Sequence, residues 1–211
     1  MHIHEAILAG SREGVLVLAG GWGAAAAGTA LGLWRMDYER VPRVAMLSAA
    51  FFVVSVVQVP LGPTSVHLVL NGLIGLILGW AAFPALLIAL ALQAVFFNEG
   101  GLGALGINTL TMAFPGVVCH YLFRRAMFWR SDGLAFSAGL GAGAMGVLLA
   151  SLLTALALFA AGEEFGLFAG FVMAFHLPLA AVEALVTGSV VVLLRKVRPE
   201  LLEAPLLVPG Q

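Results

Sequence analysis

The first two residues carry the most specific chemistry in the chain. Met1-His2 offers an α-amine, the next backbone nitrogen and an imidazole; together these close two fused chelate rings around a metal ion and leave one corner of a square for a ligand from elsewhere. His67 is the candidate for that corner. The arrangement requires a free amine. Methionine is normally trimmed only before a small residue, so the large His2 predicts that Met1 stays. A formyl group would have to be removed, because a blocked amine is a far poorer ligand.

The other histidines carry weaker signals. His4 is close enough in sequence for a fifth position or a nearby hydrogen bond. His120 is too far from the N-terminus along its apolar stretch and reads as structural. His176 falls roughly 16 Å along its helix at about 1.5 Å per residue, a depth an inserted N-terminus could reach, although hydrogen-bonded packing suits it better. Glu183, two turns further on, reads as a packing or coupling contact rather than a ligand. Gln58, Thr64, Ser65, Asn71, Gln93, Asn98, Asn108 and Thr109 gather with His67 toward one end of the spans. Of these, Gln58, Ser65, Asn71, Gln93 and Asn108, with His4, are candidates for orienting the imidazoles from behind. Interhelical hydrogen bonding is the plainer use of such amides. The turn Pro60-Leu61-Gly62-Pro63-Thr64-Ser65 predicts a helix beginning near residue 65. His67 and Asn71 would then share a helix face, with the positive helix end favouring neutral imidazole.

The elements that hold these residues are apolar. Of 211 residues, 62% are hydrophobic and 10% charged, with a mean hydropathy of +1.06. Seven apolar stretches stand out, at residues 15–34, 44–60, 65–81, 84–97, 104–123, 134–161 and 165–195; a membrane helix needs about 20 residues. The third and fourth are short and meet in a tight hairpin over Trp80-Ala81-Ala82-Phe83-Pro84, with Pro84 in a first helical turn. Gly20, Ala24, Gly28 and Gly32 mark a small-residue ridge on the first, and Gly139, Gly141, Gly143 and Gly146 permit close contact on the sixth. Pro178 can kink the seventh.

Nine of the ten basic residues follow the first, fifth and seventh stretches, so the positive-inside rule makes that side cytoplasmic. The expected fold is an all-α polytopic membrane protein, a bundle of about seven transmembrane helices with the N-terminus outside and the C-terminus cytoplasmic. It is one integral membrane domain: residues 1–14 as the metal-binding segment, 15–195 as the bundle and 196–211 as a cytoplasmic tail. On the outer side Glu5, Glu13, Glu99, Glu163 and Glu164 stand against Arg12, a net −4 that concentrates cations if it is more than ordinary loop charge.

Other chemistries are excluded. Cys119 is the only cysteine, so there is no internal disulfide and no multi-thiolate cage, and it reads as a small buried hydrophobe. Lys196 is the only lysine and no phosphate loop surrounds it, so the chain has no ATPase site of this kind and any driving energy must come from a partner. His4-Glu5 is followed by Ala6-Ile7-Leu8, not by a second histidine, so no zinc-protease motif is present.

Met1-His2-Ile3, Gly62-Pro63-Thr64-Ser65-Val66-His67-Leu68, Gly100-Gly101-Leu102 through Leu105-Gly106-Ile107-Asn108-Thr109, and Glu183 through Thr187-Gly188 resemble the CbiM/NikM family, the substrate-capture membrane subunits of energy-coupling-factor nickel and cobalt importers. The resemblance covers nearly the whole chain. It implies one metal ion bound by the Met1 amine, the His2 backbone nitrogen and the rings of His2 and His67. It implies a prokaryotic cell membrane, a transmembrane coupling subunit, two cytoplasmic ATPase subunits, often a small accessory membrane subunit, and no nucleic acid. Ala6 stands where the family often has glycine and His4 takes a variable place, which weakens His4 as a ligand. Four planar nitrogens, one an ionised amide, suit low-spin Ni(II) and Cu(II) better than Co(II). Nickel is the expected substrate, with a cobalt-capture subunit for cobalamin synthesis and a non-transport membrane interaction protein as the alternatives.

Overall fold

The computed structural model describes residues 2–56, 58–61, 64–127 and 131–202, with only the backbone of 58–61, 64–66 and 164. A four-residue helix α1 (Glu5–Leu8) leads into α2 (Arg12–Trp34), followed by α3 (Val41–Ser55), the strands β1 (Gln58–Leu61) and β2 (Thr64–His67), and α4 (Asn71–Leu78). Then come α5 (Ala82–Phe97), α6 (Leu105–Met127), α7 (Asp132–Ala161) and α8 (Gly166–Val197). Six helices of 15 residues or more run up and down around the short α4, seven of whose eight residues are buried. Among the described residues four segments are long and apolar enough to cross a membrane: Arg12–Trp34, Asn71–Phe97, Asp132–Ala161 and Gly166–Val197.

Local sequence explains most boundaries. Ser11 caps α2, its Oγ accepting from the Gly14 N–H at 2.9 Å and donating to the Ala161 carbonyl at 3.1 Å, which ties α2 to the end of α7. Gly79 turns the chain after α4 at φ +57°, with the His120 ring packed against it. Pro84 then sits in the first turn of α5, as expected. Cys119 is buried and its thiol donates to the Ala142 carbonyl at 3.4 Å. His120 bonds the Leu76 carbonyl through Nδ1 at 3.0 Å, the structural part read for it. At the arginine-rich end Asp132 pairs with Lys196 at 3.2 Å and with Arg195 at 3.8 Å.

Two expectations change. The third apolar stretch is not one helix from residue 65: β2 pairs antiparallel with β1, placing Gln58 opposite His67, and α4 begins only at Asn71. Leu70 has φ +48°, a left-handed conformation that stops the helix from extending back. His67 and Asn71 therefore share no helix face, and His67 does not sit in a first helical turn. The buried row on α2 is Gly21, Ala25, Gly28 and Gly32, while Gly20 is exposed. Strict fourth-residue spacing drifts about 40° per step around a helix of 3.6 residues per turn, so only a mixed 4-3-4 spacing stays on one face.

Glycine lets α4 lie inside the bundle. A Cβ on Gly75 would overlap the Gly116 backbone of α6, and one on Gly146 of α7 would come 2.8 Å from Gly72. Gly139 and Gly143 bring α7 equally close to α8 at Gly188 and Glu183. We expect Gly75→Ala to destabilise the detergent-solubilised protein by about 3 kcal/mol, the upper range for overpacking, read as a fall in thermal midpoint. Gly23→Ala, where a Cβ meets nothing within 4 Å, should leave stability unchanged or raise it by about 0.5–1 kcal/mol.

Candidate metal centre

The N-terminal segment enters the bundle as extended chain, with His2 and Ile3 at 1% and 0% exposure. An extended segment leaves its own N–H and C=O groups unpaired, and here side chains satisfy them. Asn108 on α6 accepts from the Ile3 N–H at 2.8 Å through Oδ1 and donates to the Ile3 carbonyl at 3.0 Å through Nδ2. The Glu5 N–H donates to the Gly100 carbonyl at 2.8 Å, and the Glu5 carboxylate accepts from the Gly103 N–H. Gly100 and Gly101, at φ +72° and +82°, let the chain turn directly against this segment. Ile3 and Leu8 complete the anchor in an apolar cluster with Ile107, Leu158 and Val172.

This anchoring delivers the His2 ring to the His67 ring. The two stack with centroids 4.9 Å apart and planes 26° apart, and Phe51 meets His67 edge-on at 6.5 Å. His67 is 3% exposed, and its Nδ1 lies 2.9 Å from the Leu68 carbonyl oxygen. A carbonyl can only accept, so Nδ1 carries the proton and Nε2 keeps its lone pair. That Nε2 is buried without a hydrogen-bond partner, as is Nε2 of His2. A His2 chelate closes through Nδ1, the ring nitrogen nearer its own backbone, so the orphan that points to an external ligand is His67 Nε2. Burial holds both rings well below the ordinary histidine pKa, keeping them in the neutral, metal-ligating form.

The remaining candidates divide. Asn108 bonds the main chain of Ile3, the residue after His2, and not an imidazole. Asn71 donates to the Gly146 carbonyl at 3.0 Å and to the Met112 carbonyl at 3.3 Å, joining α4 to α7 and α6 rather than orienting an imidazole. Gln93 donates to Ser55 Oγ and to the Phe52 carbonyl, joining α5 to α3. His4 faces Glu99 at 3.9 Å with 41% of its side chain exposed. His176 is buried and bonds the Val172 carbonyl of its own helix at 2.6 Å, the packing contact read for it. The side chains of Gln58 and Ser65, and all of Met1, lie outside the described residues. Sequence reasoning missed the Glu5 carboxylate as an anchor; its signal was an acid two residues past Ile3 in an otherwise apolar start.

Among the described residues no three or more His, Cys, Asp or Glu side chains form a group able to hold a metal ion. Residues 2–201 match the CbiM family, described as the cobalt uptake substrate-specific transmembrane region. The chain belongs to the CbiM family. It is 42% identical over 197 residues to a Haemophilus influenzae protein named as a candidate metal transport protein, covering 90% of this chain and 95% of that one. It is 32% identical over 174 residues to the cobalt transport protein CbiM of Sorangium cellulosum, covering 77% and 76%. The crystal structure of a transition metal transporter superposes with a TM-score of 0.70 at 29% identity, covering 93% of each chain. The protein is thus a helical membrane protein of a metal-transport family.

Two outcomes are expected. Asn108→Ala strips the partners from two buried main-chain groups of Ile3 and should cost about 2–4 kcal/mol, with faster hydrogen exchange at the Ile3 amide as the local readout. The depressed histidine pKa values set a pH dependence. Between the folded values and the ordinary 6.5 the unfolded chain binds more protons than the native one, so metal-free stability is fully present above about pH 6.5 and falls as pH drops below it. Thermal midpoints measured from pH 7.5 to 5 should show this fall, and His67→Phe should lessen it while leaving the His2 contribution.

Proposed function

We propose that this chain captures Ni(II) at the outer face of a prokaryotic cell membrane, as the substrate-specific subunit of an energy-coupling-factor importer. The ligands in this reading are the Met1 amine, the His2 backbone nitrogen and the rings of His2 and His67. The observation that carries it is the buried, unpartnered lone pair of His67 Nε2 beside the His2 ring. A half-built square of side-chain nitrogens at the mouth of an N-terminal segment is what a chelate completed by main-chain nitrogen needs. The bundle crosses the membrane several times with its arginine-rich end in the cytoplasm. There a coupling subunit and ATPases, with any small accessory subunit, would engage it and supply the energy for release.

Cobalt is the second reading, because the family and the Sorangium relative are named for it. The square of four nitrogens favours Ni(II) by its preference for planar coordination. Competition calorimetry with both ions on protein carrying an untagged N-terminus separates them: tighter Ni(II) binding by tenfold or more supports nickel, and the reverse order assigns cobalt.

The decisive test changes no side chain in the bundle. One residue added before Met1 converts the amine to an amide and moves the free amine out of register with His2, so nickel affinity should fall at least a hundredfold, with loss of the square-planar absorption. Extension after Gln211 should change nothing. Equal affinity in N-terminally extended and native chains would show that the site uses side chains alone.

A further inference from the structure

The carboxylate of Glu183 is fully buried in an apolar bundle, and its partners are main-chain groups. Oε1 accepts from the Val69 N–H, and the Leu70 N–H lies 2.9 Å from Oε1 and 3.0 Å from Oε2. No basic side chain is among these partners. A buried carboxylate that bonds only backbone N–H groups is costly to keep unless it fixes where that backbone lies. The backbone it fixes begins two residues after His67. Leu70 is held there in a left-handed conformation that its side chain disfavours, so the loop would not choose this shape unaided.

The same loop sets the chemistry of the His67 ring. The acceptor for His67 Nδ1–H is the carbonyl of Leu68, the residue between His67 and the clamped pair. With the 69–70 segment pinned, that carbonyl stays directed at Nδ1, the proton stays on Nδ1, and the Nε2 lone pair stays free and aimed. The clamp has a rigid base. Gly143 of α7 lies so near α8 that a Cβ there would come 2.5 Å from the Glu183 carbonyl oxygen, and the loop runs straight into α4, itself pinned through Asn71.

We infer that Glu183 is a positioning residue for the metal site: by clamping the Val69 and Leu70 amides it holds the Leu68 carbonyl on His67 Nδ1, fixing both the tautomer and the place of the Nε2 donor. This inference rests on the proposal that His67 binds the transported ion, and it assigns no metal contact to Glu183. A single Nδ1–H tautomer of the His67 ring is its signature even without metal.

The experiment uses the full chain with a native N-terminus in detergent, wild type beside E183Q, E183D and H67A. Nickel chloride is the calorimetric titrant, and the nickel absorption band is recorded at saturation. E183Q should weaken nickel binding by 10- to 100-fold, the usual effect of losing such outer support, while the saturated band keeps the wild-type position because no ligand is lost. E183D should recover part of the affinity. In metal-free protein labelled with 15N-histidine, His67 should show one Nδ1–H tautomer in wild type and a mixture in E183Q. Affinity within twofold of wild type in both Glu183 variants, or an unchanged tautomer in E183Q, would overturn the inference. A shifted band in E183Q would make Glu183 a ligand and overturn it as well. If E183Q does not fold, E183D decides by the same affinity and tautomer readings. Wild type and H67A that bind nickel alike would instead refute the site on which the inference rests, whatever the Glu183 variants do.

Discussion

Extended peptide inside an apolar bundle is unstable unless each of its N–H and C=O groups finds a partner. That constraint organises the candidate site twice over. The segment carrying His2 is satisfied by Asn108, which bonds both main-chain groups of Ile3 and so does the work of a neighbouring strand. The segment after His67 is satisfied by Glu183, whose two oxygens receive the consecutive amides of Val69 and Leu70. In each case a polar side chain on a long helix accepts irregular backbone, and an imidazole arrives at the end of that backbone. The helices themselves need no such help, because their main-chain groups pair internally.

Close approach is the second requirement, and glycine meets it. Room for two non-helical segments at one end of the bundle exists because α4 is only eight residues long and lies deep between α6 and α7. The Gly75–Gly116 and Gly72–Gly146 contacts allow that depth. With a full-length helix in place of residues 65–81, the space now holding β2 and the incoming N-terminus would be filled. The polar grip of Asn71 on the Met112 and Gly146 carbonyls then fixes the point where irregular chain becomes helix.

Much of this was legible in the sequence. Five of the seven apolar stretches coincide with α2 and α5 to α8 to within a few residues, because hydropathy alone marks them, while the stretch 44–60 runs past the end of α3 at Ser55 into β1. The stretch from residue 65 misled because a continuous apolar run does not distinguish helix from extended chain, and the left-handed Leu70 has no sequence signal of the kind a glycine gives. His2, His67 and Asn108 were readable from residue type: polar groups in an apolar context, one of them at a chain end. Asn71 and Gln93 had the same appearance, yet their bonds are ordinary helix-to-helix ones. Sequence gives the depth of an amide but not its rotation. The ridge on α2 failed for the same reason, with Gly21 rather than Gly20 facing inward.

The placement of Glu183 on α8 ties the site to the far end of the molecule. Glu183 stands near the middle of this 32-residue helix, 12 residues or about 18 Å before Arg195 at about 1.5 Å per residue. Near its C-terminal end Arg195 donates to the Met127 carbonyl at 2.8 Å and approaches Asp132. One rigid element therefore holds both the loop of His67 and the arginine-rich end of the bundle. Asn71, the next residue after the clamped pair, is bonded to the Met112 and Gly146 carbonyls, so the loop of His67 is held by α8 on one side and by α6 and α7 on the other. In the proposed reading the two imidazoles are thus positioned from different helices, His2 through Asn108 on α6 and His67 through Glu183 on α8, and the geometry between them depends on how those helices pack.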